Sequence, residues 1–212
     1  MRASVSLWSA DQLALGAAVD ALDGRVDGFH VDVMDGHFGP DLLYGPETVR
    51  ALAGRARRSL VDVHLVVDDA DRWIAPFAQA GAGMLTVHPE SCADVAATLA
   101  EIAGRGVRAG VALSLETEIA AVAPLLGAVE RVLVMGTAIG IKGVDPAPET
   151  SARVRELVAL RRGPRPEVFV DGGIRAHTVG AFAAAGADGV VPGSLVFGRA
   201  DWLEGVRLVD AA

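Results

Sequence analysis

Short apolar, β-branched runs alternate with Ala/Leu-rich stretches along nearly the whole chain, and this alternation leaves few folds open. The runs predict strands at 3–8, 28–33, 59–67, 84–88, 108–114, 131–136, 167–172 and 189–193. Helical patterns fall near 10–22, 46–57, 69–80, 91–104, 117–126, 148–161, 175–185 and 194–200. Strands that each lead into a helix through a short loop build a parallel sheet, and strands covered on both faces read as near-continuous apolar runs, as most of these do. Eight such units in 212 residues predict one α/β domain over 1–212, a closed (β/α)8 TIM barrel near the lower size limit. An open doubly wound sheet would more often carry a Gly-rich dinucleotide turn after its first strand, and SLWSAD has none. The repeated QAGAG and AAGAD stretches read as helix C-caps feeding the next strand.

Charge and composition exclude several functions. The net charge of −8 leaves no basic face for a phosphodiester backbone, so no nucleic-acid partner is expected. One cysteine, Cys92, allows neither an internal disulfide nor a Cys-pair metal site. MRASVSLWSADQ lacks the long apolar segment of a signal peptide, and no apolar run reaches the ~18 residues of a membrane span. These features predict a cytoplasmic protein without a membrane partner.

In a barrel, functional side chains belong at the C-terminal ends of the strands. The 28–33 strand carries His30 and Asp32, two apart and therefore on one face; the 59–67 strand repeats the spacing with Asp62 and His64. The 84–88 strand ends in His88 with Glu90 beyond it, and the 167–172 strand ends in Asp171. Ionisable groups on the inward face of apolar strands are costly unless paired or bound to metal. His30, Asp32, His64 and Asp171 together suit one divalent cation with N and O ligands, zinc first, with iron, manganese or cobalt as alternatives. His88 and Glu90 read equally well as supporting or pocket-wall residues, His37 and His177 as ordinary loop and helix-start residues. Met34 and Met135 read as core unless they line the pocket mouth.

An anion site shows separately. Gly172 and Gly173 follow one strand and precede a helix, and Gly193–Ser194 opens a short helix after the last strand. Barrels bind phosphate at such places through free backbone N–H groups and the helix dipole. The turn after 131–136 contains Gly140, Ile141, Lys142 and Gly143 beside them, and Lys142 is the only lysine among nineteen Lys+Arg residues. It predicts a point charge at the rim of the phosphate cradle; its alternative is a solvated loop lysine.

At this point the sequence resembles the ribulose-phosphate 3-epimerase family, in order along nearly the whole chain: SLWSAD, HVDVMDGHFGP, DVHLVV, VHPES, VDGGI and GADGVVPGSLVF. The resemblance implies a barrel of the ribulose-phosphate-binding type, an isomerase of carbohydrate metabolism that epimerises a ketose phosphate, with ribulose 5-phosphate and xylulose 5-phosphate the leading pair. It implies one metal on His30, Asp32, His64 and Asp171, substrate contacts from Ser6 and His64, phosphate held by the glycines named above, and a homo-oligomer. Asp32 and Asp171 would then be the acid/base pair, one protonated and one not, working through an enediolate stabilised by the metal. A tetrulose 4-phosphate, allulose 6-phosphate, or a non-catalytic sugar-phosphate barrel are the alternatives. The Asp-x-Lys-x-x-Asp cluster of phosphate-barrel decarboxylases is absent.

Some positions depart from that family. Its Pro-Gly-Phe-x-Gly-Gln turn is replaced by Ile139, Gly140, Ile141, Lys142, Gly143 and Val144, Val66 stands where a methionine is common, and Asp41 where an asparagine is usual. The changes surround the substrate rather than the metal.

Overall fold

The computed structural model describes residues 1–212. Eight parallel strands close into a barrel: β1 (Arg2–Ser6), β2 (Gly28–Asp35), β4 (Leu60–Val66), β5 (Met84–Val87), β6 (Arg108–Leu113), β7 (Arg131–Met135), β8 (Glu167–Asp171) and β9 (Gly189–Val191), with β1 pairing both β2 and β9. The two-residue β3 (Leu42–Leu43) adds antiparallel to the end of β2, with Met34 opposite Leu43 and Asp35 opposite Leu42. Helices α1 (Leu15–Leu22), α2 (Pro46–Arg55), α3 (Asp71–Ala80), α4 (Val95–Gly104), α5 (Ile119–Val122), α6 (Thr150–Leu160), α7 (Val179–Ala185), α8 (Ser194–Phe197) and α9 (Trp202–Asp210) form the outer ring. Gly81 and Gly186 end α3 and α7 in the left-handed conformation, as the QAGAG and AAGAD stretches suggest.

Strand parity sorts the side chains into two environments. Outward residues such as Phe29, Val31, Val63, Leu65, Val132 and Val170 join the large apolar layer between strands and helices. Only Ala112, Leu133, Met135, Phe169 and Val191 form an apolar cluster inside the barrel. Apart from Met34, Val66 and Met84, the remaining buried side chains of the interior are polar: Ser4, Ser6, His30, Asp32, Asp62, His64, Thr86, His88, Arg131 and Glu167. The outer layer stabilises the fold through burial of apolar surface, which releases the interior for chemistry.

Several boundaries differ from expectation for local reasons. The helix expected over 10–22 starts at Leu15, because Asp11 closes a turn ahead of it, its carbonyl accepting the Ala14 N–H and its carboxylate the Leu13 N–H, each at 2.9 Å. The 117–126 pattern splits into α5 and a 3-10 turn over Ala123–Leu125, where Pro124 supplies no N–H. Helix α9 was not anticipated, although Val206 and Val209 lie three apart on its buried face. Its end meets the start of the chain, where the Met1 amino group donates to the Val209 carbonyl at 3.1 Å.

Candidate metal centre and substrate cleft

Parallel register brings the four candidate ligands together. Asp32 pairs with His64 across β2 and β4, Ser6 lies opposite His30 across β1 and β2, and Asp171 ends β8 opposite Met135. One donor atom from each of His30, Asp32, His64 and Asp171 lies within 4.8 Å of all the others. His30 Nε2 is 3.2 Å from Asp32 Oδ1 and 3.9 Å from Asp171 Oδ2; His64 Nδ1 is 3.3 Å and 4.0 Å from the same two atoms. Two ligands bound at ~2.0–2.2 Å on a tetrahedral ion are separated by about 3.3–3.6 Å, so the donor set fits a single cation.

Hydrogen bonds beneath the centre orient both imidazoles. His30 Nδ1 faces the Asp62 carboxylate at 3.1 Å and donates to it. Burial opposes charging of the ring, but the charges of Asp32 and Asp62 raise its pKa well above the ordinary imidazole range, so without a cation its Nε2, 3.2 Å from Asp32 Oδ1, is protonated as well. His64 is arranged in the opposite sense. Its Nε2 meets Nε2 of His88 at 2.9 Å, and its Nδ1 faces the carboxylates. Burial, together with the neighbouring His64, holds the His88 pKa well below the ordinary imidazole range, so His88 stays neutral, with Nε2 placed to accept a hydrogen bond. A cation bound by these nitrogens would take the place of the proton on His30 Nε2.

The two aspartates differ sharply. Burial pushes Asp171 up to about 6, with the Asp32 charge adding to the rise. Burial works the same way on Asp32, but the charge of His30 and hydrogen bonds from His30 and His64 outweigh it and hold that carboxyl well below its usual range. Ser6 Oγ also donates to Asp32 Oδ2 at 2.9 Å.

Above the centre opens a cleft of about 280 Å³. Ser6, Asp32, His64 and Asp171 line its floor; Gly140, Ile141, Lys142 and Gly143 line one wall, and Gly172, Gly173, Gly193 and Ser194 another. Of the metal-ligand and substrate-contact candidates only His30 is not in the lining; it lies beneath, fully buried, and Asp62, His88 and Glu90 also stay outside the lining. Met34, Val66 and Met135 reach the lining as well. Lys142 sits at the rim, its Nζ 3.9 Å from the centre of the Trp8 ring and donating to the Trp8 carbonyl at 3.4 Å. His37 and His177 are exposed, and His177 pairs with Asp145 at 3.1 Å.

Two features of the cleft escaped the sequence reading. Arg175 lines the anion end, hydrogen-bonded to Ser194 Oγ and, at 3.3 Å, to the Val144 carbonyl. Its position just beyond VDGGI was the available signal. The second is the loop after β2: the Asp35 carboxylate accepts N–H groups of His37, Phe38 and Asp68, and the loop lays Phe38 against His88 with ring centres 5.1 Å apart. No short-range pattern announces that contact.

Fold and site together define a (β/α)8-barrel enzyme class with a histidine–carboxylate cluster that could hold a divalent metal beneath an open cleft. Residues 2–197 match the model of the Ribulose-phosphate 3 epimerase family. The ribulose-phosphate 3-epimerase of Bacillus subtilis (strain 168) is 35% identical over 205 residues, 95% of this chain and 94% of that protein. The Rhodobacter capsulatus protein of the same name is 39% identical over 194 residues, 91% and 84% of the two chains. Among solved structures, KGPDC from Streptococcus mutans superposes with a TM-score of 0.74 at 16% identity, over 99% of this chain and 95% of that one, which shows the shared barrel. The chain belongs to the ribulose-phosphate 3-epimerase family.

Proposed function

We propose that the protein is an isomerase that interconverts D-ribulose 5-phosphate and D-xylulose 5-phosphate, with Asp32 and Asp171 exchanging the proton at C3. The observation that carries this reading is the pair of carboxyl groups with opposed proton affinities facing one cleft. Epimerisation beside a ketone needs a base on one face of the carbon and an acid on the other. Asp32, ionised, is suited to take the proton; Asp171, whose proton affinity is raised to about 6, is the better of the two to carry and return one on the opposite face, and the reverse reaction exchanges the roles. A divalent cation on His30, Asp32, His64 and Asp171, zinc by preference, would supply positive charge beside the oxygens of the enediolate. Ser6 holds Asp32 and reaches the substrate end of the floor, while the glycines of the walls offer backbone N–H groups to the phosphate, with Lys142 and Arg175 adding charge.

Asp32→Asn and Asp171→Asn should each abolish exchange of the C3 proton with solvent deuterium, followed by NMR of the sugar phosphate. Full exchange in either variant would reject the two-aspartate scheme. The substrate assignment is supported by the names of the relatives and is tested by a panel of ketose phosphates that includes a tetrulose 4-phosphate and allulose 6-phosphate. Metal analysis of the purified protein, with activity restored to chelated enzyme by zinc, iron, manganese or cobalt in turn, tests the cation.

A further inference from the structure

An arginine is buried inside the barrel below the metal centre, on a strand whose other inward residues, Leu133 and Met135, are apolar. Arg131 is 4% exposed. Its Nη1 donates to Asp62 Oδ2 at 2.7 Å, its Nη2 to Glu167 Oε2 at 3.3 Å, and its guanidinium lies 3.7 Å from the centre of the Phe169 ring. A buried guanidinium is costly unless its partners are well placed, and packing alone would be served by an aliphatic residue here. Asp62 Oδ2 also accepts Ser4 Oγ at 2.8 Å and faces His30 Nδ1 at 3.1 Å. Three donors thus converge on one oxygen, and Asp62 has no direct part in the cleft. On the far side, Glu167 is held by Arg2 and lies 3.7 Å from Arg165, both half-exposed at the opposite end of the barrel. The chain of contacts therefore runs from the outer rim to the imidazole of a candidate ligand.

We propose that Arg131 is a positioning residue: it fixes the Asp62 carboxylate so that His30 keeps its proton on Nδ1 and presents Nε2 to a divalent cation. The guanidinium bridges Asp62 and Glu167, and its bond to Asp62 Oδ2, with that from Ser4, anchors the oxygen that His30 Nδ1 faces. The proposal rests on the metal-centre reading above.

The test uses the full chain stripped of metal, with dissociation constants for Co²⁺ and Zn²⁺ from chelator competition and the cobalt visible spectrum as a second readout. Arg131→Met and Asp62→Asn should each weaken binding about ten- to a hundredfold and shift the cobalt bands, and the double variant should bind no more weakly than Asp62→Asn alone. Glu167→Gln removes the other partner of Arg131; it should lower Tm while leaving cation affinity within about twofold, an outcome that general loosening of the barrel would not give. Arg131→Lys keeps the charge without the guanidinium, folds more readily, and should also lose affinity. Parental affinity in whichever of Arg131→Met and Arg131→Lys folds overturns the proposal alone. A parent protein that takes up neither cation overturns the metal centre, and the proposal with it.

Discussion

Asp171 and Asp32 share one pocket yet bind protons with opposite strength, and that difference has a cost as well as a use. A folded-state pKa of about 6, against an ordinary 3.8, means that the folded chain holds a proton the unfolded chain has released. Stability of the metal-free protein therefore falls as pH rises from about 4 to about 6, and the full penalty is present above that. Asp171→Asn carries no such penalty. It should melt a few degrees above the parent at pH 8 in chelator, lose that advantage at pH 4, and be inactive at both; thermal melts at the two pH values check the sign. Lys142→Met should raise KM with kcat less affected, and Arg175→Met should do the same with a shallower dependence of KM on salt. An unchanged KM in Lys142→Met returns that lysine to the solvated-loop role. At this scale the convergence of His30, Asp32 and His64 was legible because the pairs His30/Asp32 and Asp62/His64 sit at two-residue spacing on adjacent strands, where parity fixes the face. Asp62 shared that parity, but its partner Arg131 lies far along the chain, and only the closed barrel brings the two together.

Elements divide into those that hold the barrel and those that shape the cleft, and substitutions should separate them. Helix α4 is capped by Asp94, whose side chain accepts the N–H groups of Ala96 and Ala97. Asp94→Ala should cost about 1 kcal/mol of stability with kcat and KM unchanged. The loop after β7 behaves differently. Gly140 has a positive φ of 76°, and a Cβ there would stand 2.3 Å from Pro40 of the loop after β2. Gly140→Ala should leave Tm within a few degrees and lower kcat/KM, because it forces apart two loops that meet beside the cleft. The strands and most helices could be read from apolar period and length, since each was long enough to show one. The two-residue β3 and the 3-10 turns could not, because they are fixed by Asp35, Pro124 and tertiary packing rather than by any repeat.

Over the whole molecule, an acidic chain must attract an anion. With 27 acidic against 19 basic residues, long-range charge repels a sugar phosphate, so capture falls to the groups gathered at the cleft. Zinc or another fitting divalent ion at a hundred times its dissociation constant should stabilise the fold by about 2.7 kcal/mol, seen as a rise in Tm that chelator reverses; no shift would speak against a cation linked to folding. No helix of the chain is long and apolar enough to cross a membrane. Lys142, finally, stands alone: apart from the terminal amine, no other primary amine exists on the protein, and this one leans on Trp8 at the entrance to the cleft. An acylating dye would therefore tag a single side chain beside an indole, turning the wild-type protein into its own fluorescent gauge of occupancy without an engineered cysteine.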